Sequence, residues 1–227
     1  MNILLLLCIL IILTLAIYLL QKTLDKLGLL IGITLMNILA FILSFKYTIL
    51  SNITISTNSI AFISMLTVIY MYYEKTNEKE TKKVINEIFI INIIAAGLLY
   101  IMSLYPQEVI NTVGINIKNV FIDNYRMLIA YPITTLLSSY GMIYIYKKIK
   151  NLYDNMFIST TVSFLIIGLL ELLLFNLITY LFRFNFKTII ELTLGTYMVR
   201  IILTVIYSFY LTLLLKKKKV RKWIQYI

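Results

Sequence analysis

Long apolar runs broken by short polar clusters organise this chain from end to end. Seven runs stand out, over residues 2–20, 27–45, 59–73, 85–105, 120–146, 157–182 and 188–215. None alternates with the period of two that a half-buried or barrel strand requires, so the pattern predicts helices. Most of the runs reach the roughly 20 residues that a membrane-crossing helix needs. The third is short when ended at Tyr73. The fifth is long enough to tilt, or to kink at Pro132, where the ring removes a helix hydrogen bond. The expectation is an all-α, polytopic transmembrane bundle of seven spans.

Composition strengthens that expectation. Of 227 residues, 61% are hydrophobic and only 14% charged, against about 45–50% and about 25% in a soluble domain. A water-soluble globule of this size has too little polar surface to cover so much apolar material. The first run lacks the basic start and small-residue cleavage site of a secretory signal, so it is expected to be retained as a helix.

Charge orients the spans. The formal charge is +11, but the basic residues sit in loops rather than in a nucleic-acid-binding stripe. Lys22, Lys26, Lys75, Lys79, Lys82, Lys83, Lys147, Lys148, Lys150, Lys216 to Lys219, Arg221 and Lys222 would share one side; only Lys46, Lys118, Arg183 and Lys187 would face the other. The positive-inside rule then puts the N-terminus outside and the C-terminus in the cytoplasm. The basic tail, with Trp223 and Tyr226 behind it, reads as a stop-transfer anchor at an anionic leaflet.

Enzyme chemistry finds little footing. Histidine is absent, and the single cysteine, Cys8, lies inside the first apolar run. A nucleophile–base pair or a zinc motif is therefore missing, and no cofactor or metal site is expected. No Walker motif occurs, so any use of ATP would belong to another chain.

The informative polar groups are those inside the spans, where a charge costs about 2.5–3.5 kcal/mol on insertion scales. Glu171 falls about 21 Å into the sixth run and Arg200 about 18 Å into the seventh, counted from opposite ends of an antiparallel pair. Both reach mid-membrane, which predicts a Glu171–Arg200 ion pair or a shared polar pocket. Tyr197, three residues before Arg200, shares its face. Two roles suit this pair: a structural bridge between helices, or a contact to substrate. Asn37, near mid-depth in the second run, suits a helix bridge and a ligand contact equally. Arg126 and Glu191 lie near the outer ends of their helices, where long side chains snorkel to the interface. Glu74 caps the inner end of the third run, and Tyr131 stands beside Pro132.

The order of these residues resembles a family of vitamin-uptake transporters that includes bacterial queuosine-precursor transporters. The likeness runs from about Gly28 over some 190 residues, nearly everything but the first helix. It is carried by Asn37-Ile38-Leu39-Ala40; by Tyr70 to Ile85, similar to the family's D-x-x-x-E-x-Y-G motif and basic segment; by Arg126 to Lys150; and by Glu171 with Tyr197-x-x-Arg200. Departures are Tyr70 for Asp, Asn77 for Gly, Ser138-Ser139 for Gly-Gln, Met142 for Asp, and Arg200 for Lys. The last exchanges a point charge for a planar fork.

The resemblance implies an extra N-terminal helix and loop (1–26), a six-helix domain like the substrate-binding S-components of uptake systems (27–215), and a basic cytoplasmic tail (216–227). It implies uptake of a vitamin-like or deazapurine-like molecule across a bacterial plasma membrane. Asn37, Glu74, Glu171, Tyr197 and Arg200 would be its substrate-binding positions, with Glu171 accepting from an amino-heterocycle and Tyr197 stacking on it. The partners implied are the small molecule, the bilayer, and energising subunits or further copies of the chain, with no nucleic acid. The rival reading is a non-transporting membrane subunit of a larger complex, which the lost polar positions favour.

Overall fold

In a computed structural model the chain is described over residues 2–50, 53–104 and 124–224. The described residues form α1 (Asn2–Ser44), β1 (Tyr47–Leu50), β2 (Ile53–Ser56), α2 (Ser59–Lys75), α3 (Glu78–Leu104), α4 (Tyr125–Leu152), α5 (Met156–Tyr180) and α6 (Phe186–Ile224). Five of these six helices, all but α2, are long and apolar enough to cross a membrane. Residues 120–123 of the expected fifth run, Lys118 and Tyr226 lie outside the described residues.

The first two expected spans are not separated by a loop. Gln21, Lys22 and Leu24 are good helix formers, so the polarity of this stretch marks an interface without ending the helix. The break is confined to Asp25, at φ 48° and ψ −112°. A Cβ added to Gly28 would lie 1.9 Å from the Leu20 carbonyl oxygen. Residues eight apart on a straight helix stand about 12 Å from one another, so α1 doubles back into two arms at Asp25. Only glycine permits the approach. Salt bridges hold the turn against the next elements, Lys75 to Asp25 and Lys26 to Glu80. Within the N-terminal arm, Leu13 and Ile17 are buried in the core, whereas Ile11, Ile12 and Leu15 are exposed.

α2 is the axis of the bundle. It has 17 residues, and every one from Ser59 to Tyr72 is buried. A helix apolar on all sides belongs inside other helices. Two of its hydroxyls find partners on their own helix: Ser64 and Thr67 donate to the Ile60 and Ile63 carbonyls at 2.7 and 2.8 Å. α1 and α6 flank it, and the remaining helices follow as sequential neighbours, α3 on α4, α4 on α5, α5 on α6.

α3 begins in the charged stretch ahead of the expected fourth span. Asn77 Oδ1 accepts the Glu80 N–H at 2.8 Å, and Glu78 and Glu80 sit in the first turn, where carboxylates favour a helix start. It buries one stripe (Thr81, Val84, Ile85, Ile88, Asn92, Ala96) and exposes Ile90, Ile94 and Leu98, which suits lipid. α4 runs on through Pro132. At the next junction Asn155 Oδ1 caps α5 by accepting the Phe157 and Ile158 N–H groups. α5 and α6 meet through a turn containing Phe182 at φ 68°. Asn185 Oδ1 caps α6 by accepting the Thr188 N–H at 2.9 Å.

The antiparallel β1–β2 hairpin is the element the apolar pattern does not predict. Tyr47 pairs with Ser56 and Leu50 with Ile53. Its strands are four residues each, too short to register as period two between two helical runs. Ile55 is 1% exposed, so the hairpin packs into the protein rather than projecting from it.

Candidate functional site: a buried ion pair beneath the hairpin

The expected ion pair is present. Arg200 Nη1 donates to Glu171 Oε2 at 2.5 Å, and both side chains are at most 1% exposed. α5 brings Glu171 and α6 brings Arg200, and the short turn between these helices sets their register. Three further contacts fix the guanidinium. Nη1 donates to the Gly168 carbonyl at 3.0 Å, Nη2 to Asn58 Oδ1 at 3.5 Å, and the group lies 4.3 Å from the Phe62 ring centre. Phe62 thus supplies a cation–π face in a dry setting, where that attraction is strongest.

Asn58 is the residue that sequence reasoning missed. It stands at the N-terminus of α2, immediately after the hairpin, and is 1% exposed. Ser56 Oγ donates to its Oδ1 at 3.0 Å, and the Ser56 N–H donates to Thr196 Oγ1 at 3.1 Å. The hairpin is therefore wired to α6 one turn from Arg200. An Asn between a Ser/Thr-rich segment and a helix was the available signal, but its role depends on the hairpin that brings it to Arg200.

The site is incompletely satisfied. Glu171 Oε1, Arg200 Nε and Thr204 Oγ1 are buried and find no hydrogen-bond partner among the described residues. Thr204 lies one turn beyond Arg200, on the same face. Buried polar atoms without partners are few in native proteins, and each calls for water or an occupant. An acceptor and two donor-capable groups left over at one buried pair are what a small polar molecule would match.

Beside it a cavity of about 810 Å³ opens between the hairpin, the start of α4, the α5–α6 turn and the first turns of α6. Phe45, Tyr47, Tyr180 and Phe184 give it an aromatic wall, and among the described residues Glu191 is the only charged one lining it. The Tyr180 hydroxyl donates to that of Tyr47 at 2.7 Å. Tyr47 borders both regions, lining the cavity and lying within electrostatic reach of Glu171 and Arg200. Burial, and then the Tyr180 phenol, push its own phenol well above the ordinary range, so it stays neutral.

The other sequence-derived positions separate. Asn37 exchanges hydrogen bonds with Asn92 of α3, at 2.7 and 3.2 Å, and its carbonyl accepts from Tyr131 at 2.9 Å. Tyr131, stacked on Phe41, lies within electrostatic reach of the ion pair, so Asn37 stands one residue further out. Tyr197 does face α5, as its spacing predicted, but its hydroxyl donates to the Leu165 carbonyl at 3.2 Å. Arg126 clips α4 to the end of α5 by donating to the Leu181 carbonyl at 2.5 Å. Glu191 is exposed, 4.0 Å from Lys187.

Glu74 is elsewhere. It lies twelve residues along α2 from Phe62, about 18 Å at the helical rise. There it accepts from Tyr146 at 3.0 Å and Lys150 at 3.2 Å, and Tyr146 in turn bonds Tyr70 at 2.8 Å. Tyr70, the residue that departs from the resembled motif, is thus part of the Glu74 network. The five positions do not converge on one pocket.

A bundle of apolar helices, five of them long enough to cross a bilayer, is the architecture of an integral membrane protein. The vitamin uptake-like sensor family matches residues 9–215, and the chain belongs to it. No curated protein and no solved structure matches the chain.

Proposed function

We propose that this protein binds a small vitamin-like molecule from the outer side of the membrane and mediates its uptake, with amino-heterocycles of the deazapurine type as the favoured class. One observation carries the reading: a fully buried Glu171–Arg200 pair with unmatched polar atoms, lying under a hairpin beside an aromatic cavity. A free carboxylate oxygen suits the amino group of a heterocycle, Arg200 Nε suits its ring acceptor, and Tyr47 and Tyr180 offer faces for stacking. Asn37 and Tyr197 support this centre from behind, and Glu74 acts at the inner end. Membership of a vitamin uptake-like family fits a role in binding rather than catalysis.

The topology proposed is seven spans, counting the two arms of α1 separately and including α2, with the N-terminus outside. In this layout residues 1–26 are an added helix and its turn, 27–215 the binding domain and 216–227 a basic cytoplasmic tail. Energy would come from partner subunits in a bacterial plasma membrane, or from gradients acting on a homo-oligomer.

A non-transporting role is the second reading, and the length of α6 favours it. That helix runs for 39 residues, about 58 Å, nearly twice the bilayer core. An unbroken helix of this kind can report occupancy of the outer site to a partner on the inner side. Thermal-shift measurements on purified protein with deazapurines, purines and vitamins test the binding reading, and uptake into proteoliposomes separates the two roles. Binding without uptake favours sensing; wild-type uptake by Glu171→Ala removes the proposed site.

A further inference from the structure

The end of the bundle remote from the ion pair carries a second cavity that the reading above does not use. It measures about 600 Å³, between α3 and α4, and is lined by Glu78, Lys82, Tyr140, Tyr144, Lys147 and Lys148 among others. Three ammonium groups face one carboxylate. Glu78 is shared, accepting from Lys82 at 2.7 Å and from Lys147 at 2.6 Å, while Lys148 lies 5.6 Å over the Tyr144 ring. The cavity keeps a net positive charge with Glu78 ionised.

Its surroundings narrow the choice of anion. The same seam between α3 and α4 continues away from the lysines as an apolar surface, with Leu137, Ile133 and Ile93 exposed. It leads to a third, apolar cavity of about 610 Å³ lined by Ile93, Gly97, Ile129 and Pro132. A Cβ added to Gly97 would meet nothing within 4 Å, so the seam is open there. A basic recess at the helix ends, followed by an open apolar track, complements an amphiphile with an anionic head. A free phosphate or nucleotide would use the recess and leave the track without purpose.

We propose that the Lys82–Lys147–Lys148 cavity holds the phosphate of an anionic phospholipid, with an acyl chain lying along the α3–α4 seam. Lys147 and Lys148 contact the phosphate, and Tyr140 and Tyr144 pack at headgroup level, where aromatic side chains favour the interface. Glu78 sets the affinity, because it holds two of the three lysines.

The test is native mass spectrometry of the full chain in detergent with phosphatidylglycerol, phosphatidylcholine or inorganic phosphate. Phosphatidylglycerol adducts should survive where phosphatidylcholine adducts are lost, and inorganic phosphate should not displace them. Lys82→Gln/Lys147→Gln/Lys148→Gln should cut phosphatidylglycerol occupancy by about an order of magnitude, and Lys22→Gln/Lys79→Gln/Lys83→Gln, with the same loss of charge at the same end, far less. Glu78→Gln should raise it, which keeps the proposal testable even if the triple variant folds poorly. Equal losses in the two triple variants, displacement by phosphate, or a fall in Glu78→Gln would each overturn it. None of these outcomes bears on the outer site.

Discussion

Two carboxylates, Glu171 and Glu74, are set at different depths of one bundle, and their surroundings differ in kind. Glu171 is 0% exposed at its side chain and has one arginine as its charged partner, held in turn by backbone, amide and aromatic contacts. Glu74 is 25% exposed and its lysine partner 48%, so this ion pair opens toward solvent even though Tyr146 beside it is buried. A surface pair of the second kind contributes little, about 0–1 kcal/mol, because water and salt already stabilise the separate charges. The buried pair is different. Its desolvation cost rivals its Coulombic gain, so stability alone does not explain why two charges occupy a place that well-packed apolar side chains could fill. Unmatched atoms at one centre and satisfied ones at the other support the proposal above, in which the Glu171–Arg200 pair receives an occupant and the Glu74 network holds helices together.

Breaking the outer pair on one side should have the largest effect. Glu171→Leu or Arg200→Met alone leaves a buried charge without its partner and should cost roughly 3–5 kcal/mol in denaturant or thermal unfolding. The double variant should recover most of that loss while binding nothing, which separates stability from function. Next in size is Asn37→Ala, which removes the reciprocal amide pair to Asn92 and should cost about 1–2 kcal/mol by the same assay. At the inner end, Tyr146→Phe deletes the hydroxyl between Tyr70 and Glu74 and should cost about 1 kcal/mol. Smallest of all is Lys150→Gln, expected to shift stability by less than about 0.5 kcal/mol and to be masked by salt. A Lys150→Gln effect as large as that of Arg200→Met would erase the contrast.

The two regions also differ in how far they could be read from the chain. Glu171 and Arg200 were legible because depth in a helix follows from counting at a fixed rise, and a short turn fixes the antiparallel register. Tyr197 was placed on the correct face, but periodicity cannot say which carbonyl its hydroxyl meets. The separation of Glu74 from Glu171 was not legible, since α2 runs the length of the bundle and sets apart what the resemblance groups into one site. The hairpin and Asn58 stayed hidden for another reason. Eight strand residues rich in Thr and Ile between two apolar helices carry no period long enough to detect, and Asn58 acquires its role only when the hairpin folds inward. Likewise the turn at Asp25 was expected as a loop, because polarity reports the membrane boundary and not the backbone reversal that Gly28 permits.

Ligand-dependent stabilisation, measured side by side in three proteins, tests the outer site most directly. Wild type, Glu171→Leu/Arg200→Met and Tyr146→Phe/Lys150→Gln would be melted with the same panel of deazapurines, purines and vitamins. A ligand at about 100 times its dissociation constant stabilises by roughly 2.7 kcal/mol, enough to read as a clear shift. The account predicts a shift in wild type and in the inner-end variant, and none in the outer-pair variant. A shift that survives loss of the outer pair and disappears with the inner network would contradict it.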